Sequence, residues 1–193
     1  RLGTEPDWGS APWSAVERAL DPSDALGAEL KRWLPPSVGQ TWRGMELDEQ
    51  TALKILSAMD VAVDQVADLM GGRSTVPVAA DELGENPYFA ATCTYRSANP
   101  IAFATAGQAL QVGWVNLVTD LAGMTDPGDA RRIEALMVDV LEHLAHEGDT
   151  IASERQVLTA ASEVSVTRPC PISRSLLKSQ GLDALSLADY PSW

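Results

Sequence analysis

Between Ile133 and Leu144 the apolar residues fall three and four apart: Ile133, Leu136, Met137, Val140, Leu141 and Leu144. That period places them on one face of an α-helix and offers nothing to the alternation a strand requires. The ends agree with this reading. Asp126 stands as a cap with Pro127 at the first position and Asp129 three residues on, an arrangement close to a capping box, and Gly148 follows Glu147 as a stop. The same spacing recurs from about Asp48 to Met70 in Ala52, Leu56, Met59, Val63, Val66 and Met70, flanked by Ile55 and Ala62, and ends at the paired glycines 71–72. A third long helix is expected over 99–122, capped by Asn99 with Pro100 in its first turn and followed by Gly123. It carries a large stripe (Phe103, Leu110, Trp114, Leu117, Leu121) and a small one (Ala102, Ala106, Ala109, Gly113), so it is read as the central helix.

Shorter elements fill the rest. Helices are expected from Pro12 to Leu20, from near Ser23 to the prolines at 35–36, from Asp149 or Thr150 to Ser162, and over 172–180 up to Gly181. The connection 73–96 has no sustained period; residues 79–84 suit one helical turn and 88–95 a short extended run, as do 163–167. The fold class is therefore all-α: an irregular bundle of three or four long helices with irregular N- and C-terminal arms. The parts divide as a Trp-rich arm over 1–44, a bundle over 45–167 and a C-terminal arm over 168–193.

Composition narrows the functional classes. The chain of 193 residues carries 27 acidic and 14 basic residues, a formal charge of −13. Phosphate recognition needs a clustered cationic surface, so nucleic acid and anionic membrane surfaces are excluded as partners, and a basic partner or plain solubility remains. Ser97 to Thr119 contains no ionisable residue, and its length suits a membrane span. However, Thr105, Gln108, Gln111, Asn116 and Thr119 would go unsatisfied in hydrocarbon, so a helix buried in protein is expected instead. Cys93 and Cys170 cannot make a zinc site alone and are read as free thiols. The first methionine is Met45, so translation is expected to begin upstream of Arg1; no targeting segment is visible, and the cytoplasm is the default compartment.

Both histidines lie at 141–150, where His143 and His146 are flanked by Glu142 and Glu147. On a wheel centred at Val140, His143 falls about 60° and His146 about 120° away, so only the first grazes the buried face. Asp139–His143, Glu142–His146 and His143–Glu147 are each four apart, and such pairs support a helix by ~0.2–0.5 kcal/mol without any metal. Neither histidine has a glutamate three before it, as a di-iron bundle would want, and the zincin spacing is absent. These four residues are the catalytic candidates, and the exposed-helix reading is preferred to any catalytic role. Asp60, Asp64 and Asp68 form a row that could take a hard cation but reads as a solvated face. Cys93, Tyr95 and Arg96 cluster without a nearby histidine. No nucleophile elbow, P-loop or dinucleotide fingerprint occurs, and no cofactor is implied.

The aromatic arms remain. Trp8, Trp13, Trp33 and Trp42 occur in a segment too short for its own core, and Tyr190 and Trp193 close the chain. Each indole buries ~150–250 Å² when docked, either on this chain or on a partner. The leading expectation is an accessory or interaction protein, a subunit, adaptor or regulator, that uses those six residues as interface and an acidic rim to engage another protein. The alternative is a helical enzyme or small-molecule-binding protein with a pocket beside 99–122, lined by Gln108, Gly113 and Trp114.

Overall fold

A computed structural model describes residues 12–21, 35–70, 80–95, 97–110, 124, 126–148, 151–164 and 170–182. Among these residues the secondary structure is helical and no strand occurs. The elements, in chain order, are α1 (Pro12–Leu20), α2 (Pro36–Gly44), α3 (Leu47–Leu56), α4 (Val63–Met70), α5 (Ala80–Glu85), α6 (Phe89–Thr94), α7 (Phe103–Ala106, continued by a 3₁₀ turn over Gly107–Leu110), α8 (Ala130–His146), α9 (Glu154–Glu163) and α10 (Arg174–Ser179). No helix among them is long and apolar enough to cross a membrane.

The helix α8 is the axis of the core. Ile133, Leu136, Met137, Val140 and Leu144 are buried on one face, as their spacing requires. Its start lies three residues later than the sequence suggests: Asp129 is the N-cap and accepts the Arg131 N–H at 3.0 Å. Asp126 instead closes the preceding turn by accepting the Gly128 N–H at 2.8 Å. At the far end Gly148 takes φ of 103°, a left-handed conformation that side chains disfavour. Against α8 pack α6, α7 and α9. Ser153 caps α9 reciprocally with Gln156, and Ser173 caps α10.

The expected helix over 48–70 is two helices. α3 ends at Leu56, residues 57–62 are non-helical, and α4 begins at Val63. The interruption contains no glycine or proline, and side chains from elsewhere satisfy its freed backbone. Gln108 accepts the Asp60 N–H at 2.6 Å, and Gln65 accepts the Ala62 N–H at 2.8 Å. Breaking the rod turns α4: Val63, assigned to the buried stripe, is 86% exposed, while Leu69 is buried. The row of Asp60, Asp64 and Asp68 is likewise divided, with all three exposed.

Three further differences have local causes. The run at 88–95 forms α6, not a strand, and Thr94 Oγ1 returns a bond to the Ala90 carbonyl at 2.6 Å. Pro36 begins a helix, since a proline in the first turn has no N–H to waste. Asn99 and Pro100 do not open α7; their carbonyls accept from Gln65 Nε2 at 3.1 and 3.3 Å, and the helix starts at Phe103. Beyond Leu110, residues 111–122 of that expected helix lie outside the described residues, as do most of the helix expected near Ser23 and most of 163–167.

The α1 and α2 segment is tied to the body by polar contacts. Arg43 Nη1 donates to the Leu20 carbonyl at 2.8 Å, and Lys54 of α3 pairs with Glu17 of α1. α5 packs directly on α3, and a Cβ at Gly84 would make only ordinary van der Waals contact with the Thr51 methyl, at 3.5 Å.

Candidate functional site

The C-terminal half of α8 forms one wall of a concavity of about 430 Å³ whose other wall is the end of α9, with Pro100 at its edge. The helix face adjacent to the buried stripe contributes Asp139, Glu142, His143 and His146, and α9 contributes Ala160, Glu163 and Val164. Three of the four residues weighed as catalytic candidates thus line one groove. The fourth, Glu147, lies beside it, with Oε1 3.6 Å from His143 Nε2. Both imidazoles are exposed; His146 Nδ1 lies 3.0 Å from the Glu142 carbonyl.

Sequence reasoning placed Asp139 only as a helix-supporting partner of His143. The structure gives it a larger part. Ala102, at the N-cap of α7, has no side chain able to cap, and the carboxylate of Asp139 reaches across from α8 to accept the Phe103 N–H at 3.2 Å. Burial pushes Asp139 above the ordinary carboxylate range, opposed by that hydrogen bond and by His143. Glu142 is raised as well, by burial first; His146 opposes the rise and Asp139 adds to it. The groove therefore gathers negative charge that solvent compensates incompletely.

Among the described residues the lining holds no Ser, Thr or Cys beside either histidine, and no Lys or Arg. Among the described residues no group of three or more His, Cys, Asp and Glu side chains is arranged to hold a metal ion.

Other expected site residues lie apart. Gln108 spends its amide oxygen on the Asp60 N–H, which makes it a clamp on the α3–α4 break. Gly113 and Trp114 lie outside the described residues, as do Trp8, Trp33, Tyr190 and Trp193. Trp13 is on α1. Trp42 is half-buried on α2, with the Lys54 ammonium 5.9 Å from its ring centroid and its carbonyl accepting from Gln50 Nε2 at 3.0 Å. Cys93 and Cys170 are free thiols. Burial pushes the Cys93 thiol up to about 12, too high for a nucleophile at neutral pH.

One buried polar node escaped the sequence reading. Arg132 is 3% exposed; its Nε donates to the Tyr88 hydroxyl at 3.0 Å and its Nη1 to the Pro127 carbonyl at 3.1 Å. Tyr88 in turn stacks on Phe103 with centroids 4.9 Å apart, and the guanidinium lies 6.0 Å from the Phe103 ring. The node ties the turn before α8 to Phe103 of α7. On the wheel Arg132 falls about 80° from Val140, between His143 and Asp139, so its period position gave no signal of burial.

No known protein family, curated protein or solved structure matches this chain.

Proposed function

We propose that this chain is a helical accessory or adaptor protein that holds a basic segment of another protein in the groove between α8 and α9. The helical body serves as the scaffold, and the aromatic residues Trp8, Trp13, Trp33, Trp42, Tyr190 and Trp193 add anchors for the same partner. One observation carries the reading: among the described residues, the charged side chains lining the groove are Asp139, Glu142 and Glu163, beside two histidines and no lysine or arginine. Burial already disfavours charge on Asp139 and Glu142. A lysine or arginine entering the groove would relieve that cost, and the overall charge of −13 would steer it there.

The test is fluorescence anisotropy with a labelled Lys/Arg-rich peptide across a salt series. Saturable binding that weakens with salt is expected, and the pair Glu142→Gln and Glu163→Gln should reduce affinity roughly tenfold, the equivalent of about 1.4 kcal/mol. Affinity unchanged by that double substitution would remove the groove from the reading.

A further inference from the structure

A second concavity, of about 320 Å³, opens on the other edge of α8, between the start of α9 and α10. Apolar side chains form its floor: Met137 and Leu141 from α8, Val157 from α9, Leu177 from α10 and Leu182 just beyond it. Met137, Val157 and Leu177 are themselves buried, so the floor belongs to the core and does not depend on exposed side chains.

The charges at its mouth reverse the sign of the rest of the molecule. Arg174 and Lys178 stand one turn apart on α10 and both line the opening, against one carboxylate among the described lining residues, Glu154. Arg174 Nε lies 3.3 Å from Glu154 Oε2, but the two side chains are 80% and 46% exposed, a setting in which an ion pair contributes little and yields to a competing anion. Lys178 makes no ion pair among the described residues. The pocket thus presents an apolar floor with paired cations on one rim, in a chain that is otherwise strongly acidic.

We propose that this pocket binds a single-chain amphiphile with an anionic head, of the class of medium-chain carboxylates. The alkyl chain lies along Met137, Leu141, Val157 and Leu177, and the carboxylate sits between Arg174 and Lys178. Its volume falls at the small end of ligand sites, about 300–1,000 Å³, which suits one short chain and excludes a two-chain lipid. Neither the site nor the charge requirement overlaps with the acidic groove, so the two proposals stand or fall separately.

The experiment titrates the full chain with decanoate below its micellar concentration. Calorimetry supplies the affinity, and methyl NMR of Met137 and Leu177 the location. One-site saturation with shifts at both methyls is expected. The pair Arg174→Glu and Lys178→Glu, both exposed positions whose helicity circular dichroism will verify, should weaken binding roughly tenfold, about 1.4 kcal/mol. Glu142→Gln with Glu163→Gln should leave it unchanged. Decyltrimethylammonium, equal in chain and opposite in charge, should bind more weakly than decanoate. The proposal is overturned by absence of saturation, by equal affinity for the cationic amphiphile, by indifference to the charge reversal, or by association with anionic vesicles in place of monomeric decanoate.

Discussion

Asp139 offers the sharpest test of how α7 and α8 are joined. Its carboxylate supplies the hydrogen bond that Ala102 cannot, and the group it serves, the N–H of Phe103, belongs to a residue only 1% exposed. Asp139→Ala orphans that donor, at a cost of about 1–3 kcal/mol. In a chain of this length each kcal/mol moves Tm by about 2–4 °C, so a fall of about 2–12 °C is expected. Asp139→Asn retains an acceptor of the same shape and discards a charge that burial disfavours, so its Tm at pH 7 should stay within about 2 °C of the parent. The pH dependence follows from the same facts. The folded-state pKa is raised above 3.8, chiefly by burial, so the folded protein holds this proton more readily than the unfolded chain. The ionised side chain then costs stability at neutral pH. That cost is absent below the unfolded value, grows as pH rises towards the folded value and is constant above it. Urea denaturation of the parent and both variants from pH 4 to 8 measures it. The advantage of Asp139→Asn over the parent should grow with pH and then level off. If Asp139→Asn is as damaging as Asp139→Ala at pH 7, the charge and not the acceptor is what matters, and the reasoning fails.

The other predictions concern the start of α8 and the thiols. Asp129→Ala removes the N-cap of the central helix and should cost about 0.5–2 kcal/mol, while Asp129→Asn, still able to cap, should cost less. The sign of its pH dependence is opposite to that of Asp139. The side-chain bond from Arg131 lowers the Asp129 pKa, so its contribution is present above the unfolded value and lost as pH falls through the folded one; acid unfolding of Asp129→Asn should show a weaker dependence there. With a thiol pKa near 12, Cys93 has a thiolate fraction of about one in ten thousand at pH 8, so a thiol reagent should label half-buried Cys170 first and Cys93 only on unfolding. Equal labelling rates in the folded protein would contradict the burial of Cys93.

What could be read in advance depended on whether the cause was local. α8 is legible because its apolar period, its stop at Gly148 and its packing all agree, and α1 runs from Pro12 to Leu20 as its proline and apolar spacing suggest. The break after α3 was not legible. The stripe from Ala52 to Met70 continues through it with helical spacing, and the groups that satisfy the opened backbone include Gln108, which lies 48 residues beyond Asp60. Nothing in a window around Asp60 announces a partner at that distance. The same limit hid the role of Asp139, because a cap supplied from another helix leaves no Ser, Thr, Asp or Asn where a helix start is sought.

The two concavities show a further consequence of that distinction. On the wheel His143, His146 and Asp139 fall on one edge of α8, and Met137 and Leu141, read only as part of the buried face, fall towards the other. What the period could not supply was the opposing wall. Glu163 and Val164 complete the acidic groove, and Leu177 with Lys178 completes the apolar pocket, because α9 and α10 lie where their packing on α8 puts them. The net charge of −13 predicts an acidic surface but cannot place its exception. That exception is local: Arg174 and Lys178 share a face of a six-residue helix whose one buried side chain, Leu177, turns them to the rim. Replacing Leu177 would therefore disturb the charge geometry of the pocket as well as its floor, which is why charge reversal at the exposed pair is the cleaner probe.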